Sequence, residues 1–267
     1  PEPLQKKYEQ VKVKDPAKVQ ISESVRSRVA QGVQYLYQDT QSPDFTNASR
    51  SITDDLLRAI EDNDAVAVDI GALKISDEYT FKHSVDVATM SMIVAQKYGL
   101  DDKQVYEIGI AGLLHDIGKI GIPDRILNKP EKLTDEEYGI MKSHVTKGAE
   151  ILKSFTIVDH VEEGALYHHE RYDGKGYVHG LKGEEIPINA RIIGIADTFD
   201  AMTANRVYRK QLDMAYVIQE LKNGRGTQFD PGLVDVMLGL IDNGKIDICS
   251  LYKEHTHTDH SREKEEE

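Results

Sequence analysis

Apolar residues recur at spacings of three and four along most of this 267-residue chain, and alternating, strand-like patterns are scarce. Such spacing places apolar side chains on one face of an α-helix. Helices are predicted over residues 22–40, 47–62, 77–98, 101–117, 134–152, 157–170, 189–203, 212–222 and 231–243. The pattern therefore predicts an all-α fold, a helical bundle.

Local signals mark where several of these helices begin and end. Asp101 is placed to cap the helix that follows it, and Thr134 with Glu137 forms a capping box. Residues 118–133 are rich in Gly and Pro and are predicted to form a loop. A second glycine-rich loop follows the histidine pair at 168–169.

Composition excludes several classes of protein. No apolar run reaches the ~18 residues that a membrane span needs, and the first thirty residues do not resemble a signal peptide. We therefore predict a cytoplasmic protein without membrane insertion. A single cysteine, Cys249, excludes an internal disulfide framework and a thiolate metal cage. The net charge of -13 argues against a nucleic acid polymer as partner, because a polyanion needs a basic face.

Histidines and aspartates on the predicted helices form the candidate site, and each of the two adjacent pairs among them is followed by a glycine-rich loop. Histidine with aspartate suits divalent iron, manganese, nickel or zinc. Neighbouring helical residues point about 100° apart, so one of two adjacent ligands can turn toward a second ion. The candidate ligands are His83, His115, Asp116, His144, His168, His169 and Asp197.

A single histidine is more often a core or surface residue than a ligand. His160 and His179 are interpreted in that way, as are three histidines of the C-terminal tail. The candidate ligands differ because they lie together on predicted helices, several of them adjacent to one another. Their joint placement favours a metal site.

Three long segments resemble the HD-GYP phosphodiesterases, metal-dependent HD hydrolases that cleave cyclic di-GMP in bacterial second-messenger signalling. The segments are HDIGKIGIPDRIL (115–127), HHERYDGKGY (168–177) and ARIIGIADTFDAMTANRVYR (190–209). The resemblance covers roughly residues 55–250. It implies an HD-type helical bundle with a buried two-metal centre, holding iron or manganese, with nickel and zinc as alternatives.

The resemblance also implies how the ligands divide between two ions. One metal would be held by His83, His115, Asp116 and Asp197, and the other by Asp116, His144, His168 and His169. Asp116 would bridge the ions. Two cations roughly 3.5–4 Å apart can activate a bridging hydroxide and neutralise charge on the phosphorus as it is attacked.

The remaining predicted site residues would contact substrate. Lys119, three residues after Asp116, could reach a phosphate oxygen or assist the leaving oxygen; an exposed lysine beside a loop is the alternative. The resemblance places Gly176 and Tyr177 in the substrate loop, with Lys175 beside them. It also implies phosphate contacts from two arginines, which otherwise would be surface ion-pair partners. These two are Arg206 and Arg209.

Two positions depart from the family pattern. Val178 replaces the proline after Gly-Tyr, which puts the rigidity of that loop in doubt. Tyr79 stands where members with a third metal carry glutamate, and a phenol is a poor ligand for that ion. We therefore expect two ions.

The predicted activity is hydrolysis of cyclic di-GMP to linear pGpG, with further cleavage to GMP left open. A hybrid cyclic GMP–AMP substrate also stays open, as does a catalytically silent module that binds a cyclic dinucleotide or docks on a diguanylate cyclase domain. Whether the chain forms a homodimer is undecided. Residues 1–54 are interpreted as an N-terminal helical accessory or truncated regulatory region, 55–250 as the HD-GYP domain and 251–267 as a charged, disordered tail.

Overall fold

The computed structural model describes residues 19–20, 23–40, 42, 44–61, 66–67, 78–154, 159–203 and 214–243. This part of the chain is mostly helical, which confirms the all-α prediction. The α-helices are α1 (Glu23–Gln38), α2 (Phe45–Glu61), α3 (Glu78–Tyr98), α4 (Asp102–Leu114), α5 (Asp124–Leu127), α6 (Asp135–Lys142), α7 (His144–Lys153), α8 (Val161–Tyr167), α9 (Ile188–Thr203), α10 (Met214–Gly224) and α11 (Pro231–Asp242). None of these helices combines the length and the apolar character that crossing a bilayer would require.

Short elements complete the described fold. Two 3₁₀ turns cover Ile117–Gly121 and Gly183–Glu185. Strands β1 (Val19–Gln20) and β2 (Val66–Ala67) pair in parallel, with Val19 opposite Val66. These two-residue strands are too short to alter the fold class.

Helix α3 is the centre of the bundle. Every residue from 83 to 95 is buried, because α1, α4, α9 and α11 pack around it. A helix covered on all sides need not keep one polar face. The buried polar residues Ser84, Asp86, Thr89 and Ser91 lie among its apolar side chains. Helix α3 therefore places the candidate ligand His83 in the core of the bundle.

The predicted capping signals set the starts of two helices that flank the site. The Asp101 side chain accepts from the Gln104 backbone N–H at 2.8 Å, and the Gln104 side chain accepts from the Asp101 N–H. Thr134 and Glu137 make the same reciprocal pair before α6. Both helices begin at the predicted positions because these pairs satisfy N–H groups that lack partners within the helix.

The prediction of one helix over 134–152 was wrong. The structure has two helices, α6 and α7, which meet at Ser143. The Ser143 backbone N–H bonds to the Ile140 carbonyl, three residues back, and its hydroxyl donates to the same oxygen at 2.6 Å. This tighter turn ends α6, so His144 starts a helix instead of lying in the middle of one.

The N-terminal helices pack directly on the bundle. Helix α1 lies against α3, and α2 lies against α1 and α4. The proposed boundary after residue 54 falls inside α2, which runs on to Glu61. The predicted tail at 251–267 lies outside the described residues.

Candidate metal centre

All seven candidate ligands meet in the interior of the bundle. They come from five places in the fold: α3, the end of α4, the start of α7, the segment after α8, and α9. The residues are His83, then His115 with Asp116, His144, His168 with His169, and Asp197. The site therefore depends on the packing of the whole bundle.

The carboxylate of Asp116 lies between two sets of ligands. Its Oδ2 is 3.4 Å from His115 Nε2 and 3.9 Å from His83 Nε2. Its Oδ1 is 3.4 Å from His144 Nε2 and 3.9 Å from His168 Nε2. One oxygen thus faces each set.

We name the two sets by their composition. The mixed group is His83, His115 and Asp197, and the histidine-only group is His144, His168 and His169. Within each group the potential ligand atoms lie within 4.8 Å of one another. In the mixed group, His83 Nε2 is 3.3 Å from Asp197 Oδ1.

Three ligand histidines are oriented by carbonyls near the ends of helices. The Nδ1 atom of His115 lies 2.7 Å from the Gly112 carbonyl, and that of His144 lies 2.8 Å from the Met141 carbonyl. His168 Nδ1 contacts the Ala165 carbonyl at 3.0 Å. Carbonyls in the last helical turn lack helical partners, and accepting from Nδ1–H leaves Nε2 as the free ligand atom.

A side chain from a distant part of the sequence orients His83. Its Nδ1 lies 2.6 Å from Asp200 Oδ2, and both residues are buried. A carboxylate behind a histidine ligand is a common means of fixing its tautomer. Sequence reasoning did not select Asp200, although its position three residues after Asp197 on α9 places both on one helix face.

Several buried polar atoms of the candidate ligands have no hydrogen-bond partner in the described part of the chain, which shows whether a metal ion would suit the site. The Nε2 atoms of His115, His144 and His168, and Oδ1 of Asp116, find no hydrogen-bond partner among the described residues. Leaving several converging buried polar atoms unpaired is costly. Imidazole nitrogen and carboxylate oxygen are ligands for divalent transition metals. The cluster can therefore hold divalent ions.

The two groups differ in charge. Burial opposes a charged His83, but Asp200 and Asp197 outweigh it and raise the pKa of the imidazole above its ordinary value. In the histidine-only group, burial dominates and lowers the pKa of His169 to about 4. Burial also holds the pKa of His144 and His168 below the ordinary value.

Lys119 lies beside the shared carboxylate. Helix α4 has already ended, and a 3₁₀ turn carries Lys119 to within 2.5 Å of Asp116 Oδ2. Burial favours the neutral acid, but Lys119 and His115 outweigh it and hold the pKa of Asp116 well below its usual range. The Lys119 side chain is 31% exposed, so its ammonium lies between the carboxylate and solvent.

Glycine at position 118 permits the turn after Asp116 to approach α7 closely. A Cβ there would collide with the His144 carbonyl oxygen and with the Gly148 backbone nitrogen. These are backbone atoms of α7 and cannot move independently of the helix. Gly118 therefore lets the turn after Asp116 lie against the helix that carries His144.

The loop after the histidine pair folds back over His169. A Cβ on Gly176 would lie 2.6 Å from the His169 carbonyl oxygen, so only glycine allows this approach. The ring of Tyr177 then stacks on His169, with centroids 5.0 Å apart and planes 29° apart. The Tyr177–Val178 peptide bond is cis.

Buried Glu170 holds the far side of this loop, a role that sequence reasoning missed. Its Oε1 accepts from the His179 and Gly180 backbone N–H groups at 2.7 and 3.0 Å. An acid directly after the ligand pair was the available signal.

A cavity of about 240 Å³ adjoins the loop. Its walls include His168 and His169 and three predicted substrate contacts, Lys175, Gly176 and Tyr177. The structure therefore brings these loop residues next to the histidine-only group. The two predicted phosphate contacts on the next segment, Arg206 and Arg209, lie outside the described residues.

A helical bundle whose buried histidines and aspartates converge on one carboxylate is typical of an HD-type hydrolase. The family model described as HD domain matches residues 68–233. The chain belongs to this family.

Curated relatives are named as cyclic dinucleotide phosphodiesterases. One, a cyclic di-GMP phosphodiesterase of Pseudomonas aeruginosa, is 38% identical over 226 residues, covering 81% of this chain and 54% of that protein. A 3'3'-cGAMP-specific phosphodiesterase of Vibrio cholerae is 40% identical over 169 residues, covering 62% of this chain and 32% of its own length. The resemblance to this group is confirmed, and the chain spans about half the length of the first relative and a third of the second.

A solved structure supports the fold. A HDG"Y"P protein from Bdellovibrio bacteriovorus, Bd1817, aligns with 89% of this chain and 76% of its own, with a TM-score of 0.63 and 18% identity. At that identity the likeness concerns the fold alone.

Proposed function

We propose that this chain is a metal-dependent phosphodiesterase that hydrolyses cyclic di-GMP to linear pGpG and can continue to GMP. The observation that carries the proposal is the position of Asp116, with one carboxylate oxygen facing each ligand group. Its relatives are named for this class of reaction. The proposal extends to a cytoplasmic enzyme of second-messenger signalling.

Two divalent ions would be held by the seven ligands, with Asp116 shared between them. Such a pair supplies Lewis-acid stabilisation of a phosphodiester and a nucleophile at neutral pH. Iron or manganese would suit the mixed nitrogen and oxygen ligands. The expectation of two ions and not three rests on Tyr79, whose side chain is not among those described.

The chain's own residues would position the substrate. Lys119 can contact a phosphate oxygen from its place beside Asp116 at the solvent side, where a preorganised cation stabilises developing negative charge. Tyr177 offers a ring close to the centre against which a base can stack. Lys175 and the arginines at 206 and 209 would add positive charge.

A second candidate substrate is the hybrid cyclic GMP–AMP. A Vibrio cholerae relative that matches 62% of this chain is named for that specificity. Both rings contain two phosphodiesters, so the same centre could cleave either one. Their bases differ, and base contacts would decide the preference.

The test is turnover by purified protein after anaerobic loading with iron(II) or manganese(II). Cyclic di-GMP and 3'3'-cGAMP should be supplied separately and the products resolved by chromatography. We expect linear dinucleotide from at least one substrate and about two ions per chain by elemental analysis. Metal-loaded protein that turns over neither substrate would favour the silent binding module.

A further inference from the structure

Lys142, the last residue of α6, places a cation between two tyrosines at the edge of the candidate centre. Its Nζ lies 5.0 Å from the ring centroid of Tyr138 and 5.7 Å from that of Tyr177. Tyr138 precedes Lys142 by four residues, so both lie on one face of the helix. Tyr177 comes from the loop after α8, so the ammonium joins two separate parts of the fold.

This cation is close to the ligands. Tyr177 stacks directly on His169, and His144 follows Lys142 by two residues. Tyr138 and Tyr177 also line the cavity that reaches His168 and His169. Tyr177 thus contacts both the Lys142 ammonium and His169 of the histidine-only group.

Most other cations near the site already have an acidic partner. Lys119 pairs with Asp116, Arg171 with Asp173, and Arg191 with Asp230. Lys142 makes no salt bridge within the part of the chain that the structure describes. Lys142 is half-buried, where a cation–π contact contributes roughly 0.5–2 kcal/mol. A charged hydrogen bond contributes about 1.5–3 kcal/mol, so a bond to a phosphate would offset the loss of that contact.

A cyclic dinucleotide needs such a charge at a distance from the metals. It carries two phosphodiesters on opposite sides of its ring, and only one can be cleaved at the centre at a time. The other remains an anion beside a protein of net charge -13. A nearby cation dominates over distant acidic groups, which are screened within about 8 Å at physiological salt.

We propose that Lys142 binds the phosphodiester that is not being cleaved, with its ammonium held between Tyr138 and Tyr177. Lys142 is then a substrate-binding residue that recognises the second phosphate of the ring. The inference rests on the proposed function and deepens it, since it explains how the site would bind a cyclic dinucleotide more tightly than a phosphodiester with a single phosphate.

The test compares a substrate with two phosphates to one with a single phosphate. Lys142→Met removes the charge and keeps the length of the side chain, Lys142→Arg keeps the charge, and Lys153→Met, at an exposed position on α7, is the matched control. Each variant should be assayed with cyclic di-GMP and with bis(p-nitrophenyl) phosphate, with metal content measured in parallel.

For Lys142→Met we expect KM for cyclic di-GMP to rise about ten-fold to a hundred-fold, the range for a lost charged hydrogen bond. Hydrolysis of bis(p-nitrophenyl) phosphate and the metal content should stay within two-fold. Lys142→Arg should restore most of the affinity, and Lys153→Met should match the wild type.

Two results would overturn this inference but leave the proposed function standing. One is an unchanged KM for cyclic di-GMP in Lys142→Met. The other is an equal loss of activity with both substrates, which would mean that Lys142 acts on the centre itself through Tyr177 and His169. Wild-type protein that cleaves the single-phosphate ester but neither binds nor cleaves cyclic dinucleotides would instead overturn the proposed function.

Discussion

The mixed group and the histidine-only group are held in different ways. In the mixed group, His83 is oriented by a carboxylate from another helix, Asp200, at 2.6 Å. In the histidine-only group, His144 and His168 are oriented by carbonyls three or four residues back in the chain. The mixed group thus needs one contact set by long-range packing, although its His115 is oriented locally by the Gly112 carbonyl. In the histidine-only group, both of these histidines are oriented at local helix ends.

This difference has an electrostatic consequence. Metal binding to the mixed group must displace the proton that Asp197 and Asp200 favour on His83. The histidine-only group is neutral at pH 7 because burial lowers the pKa of all three imidazoles. Without metal, the first is an ion-pair network and the second is a set of neutral ligands.

Removing the carboxylate that the groups share should have the largest effect. We expect Asp116→Ala to lose both ions and to lower turnover by roughly a thousand-fold or more, because metals supply several kcal/mol of transition-state stabilisation. Elemental analysis and turnover measure this, with Asp124→Ala at an exposed position as control. Retention of one full equivalent of metal would mean that the groups bind independently.

Gly118→Ala should damage the histidine-only group selectively. The added Cβ would push α7 away from the turn after Asp116, so we expect a loss of roughly 3 kcal/mol in the free energy of unfolding and weaker binding of one ion. Chemical denaturation and metal titration measure the two effects. Gly139→Ala, where a Cβ meets open space, is the control and should be neutral or stabilising. Equal behaviour of the two variants would contradict the close approach.

Asp200→Asn should weaken the mixed group alone. We expect its metal affinity to fall about 10–100-fold, the usual effect of losing a carboxylate behind a histidine ligand, while the other ion binds as before. Two-step metal titration by calorimetry separates the sites, and Asp235→Asn, in an exposed ion pair with Arg225, is the control. A uniform loss at both steps would show that the groups are not anchored separately.

The two groups should change the stability of the metal-free protein with pH in opposite directions. His169 has a folded pKa of about 4 against an unfolded value of about 6.5. The unfolded chain therefore takes up more protons as the pH falls, so stability decreases from pH 6.5 toward 4. His169 alone predicts a loss of roughly 2 kcal/mol at pH 5.

The mixed group should affect the stability of the metal-free protein at alkaline pH. The folded pKa of His83 is raised, so its contribution is complete below about pH 6.5 and is lost as the pH rises above that value. Urea unfolding of metal-free protein from pH 5 to 9 would show both limbs. His169→Asn should make the acid limb less steep, because His144 and His168 still contribute to it, and His83→Asn should flatten the alkaline limb. If one substitution changed both limbs, the assignment would be wrong.

Local chemistry made much of the fold predictable. Helical spacing located most of the helices, and the capping pairs at Asp101 and Thr134 fixed two starts, because these interactions involve residues within a few positions. The break at Ser143 was missed because the apolar spacing continues across it. The hydroxyl and backbone contacts that end α6 leave no signal in that spacing.

The sequence by itself determined which residue types meet at the site and, through helix ends, how some of them are oriented. His115, His144 and His168 each contact a carbonyl within four residues, so their orientation is a local property. Only the tertiary structure decided the remaining contacts. It set which Asp116 oxygen faces which group, and it brought Asp200 to His83 from 117 residues away. It also placed Lys142 over the ring of Tyr177. These contacts join distant segments, and their distances are set by how the helices pack, which no local pattern encodes.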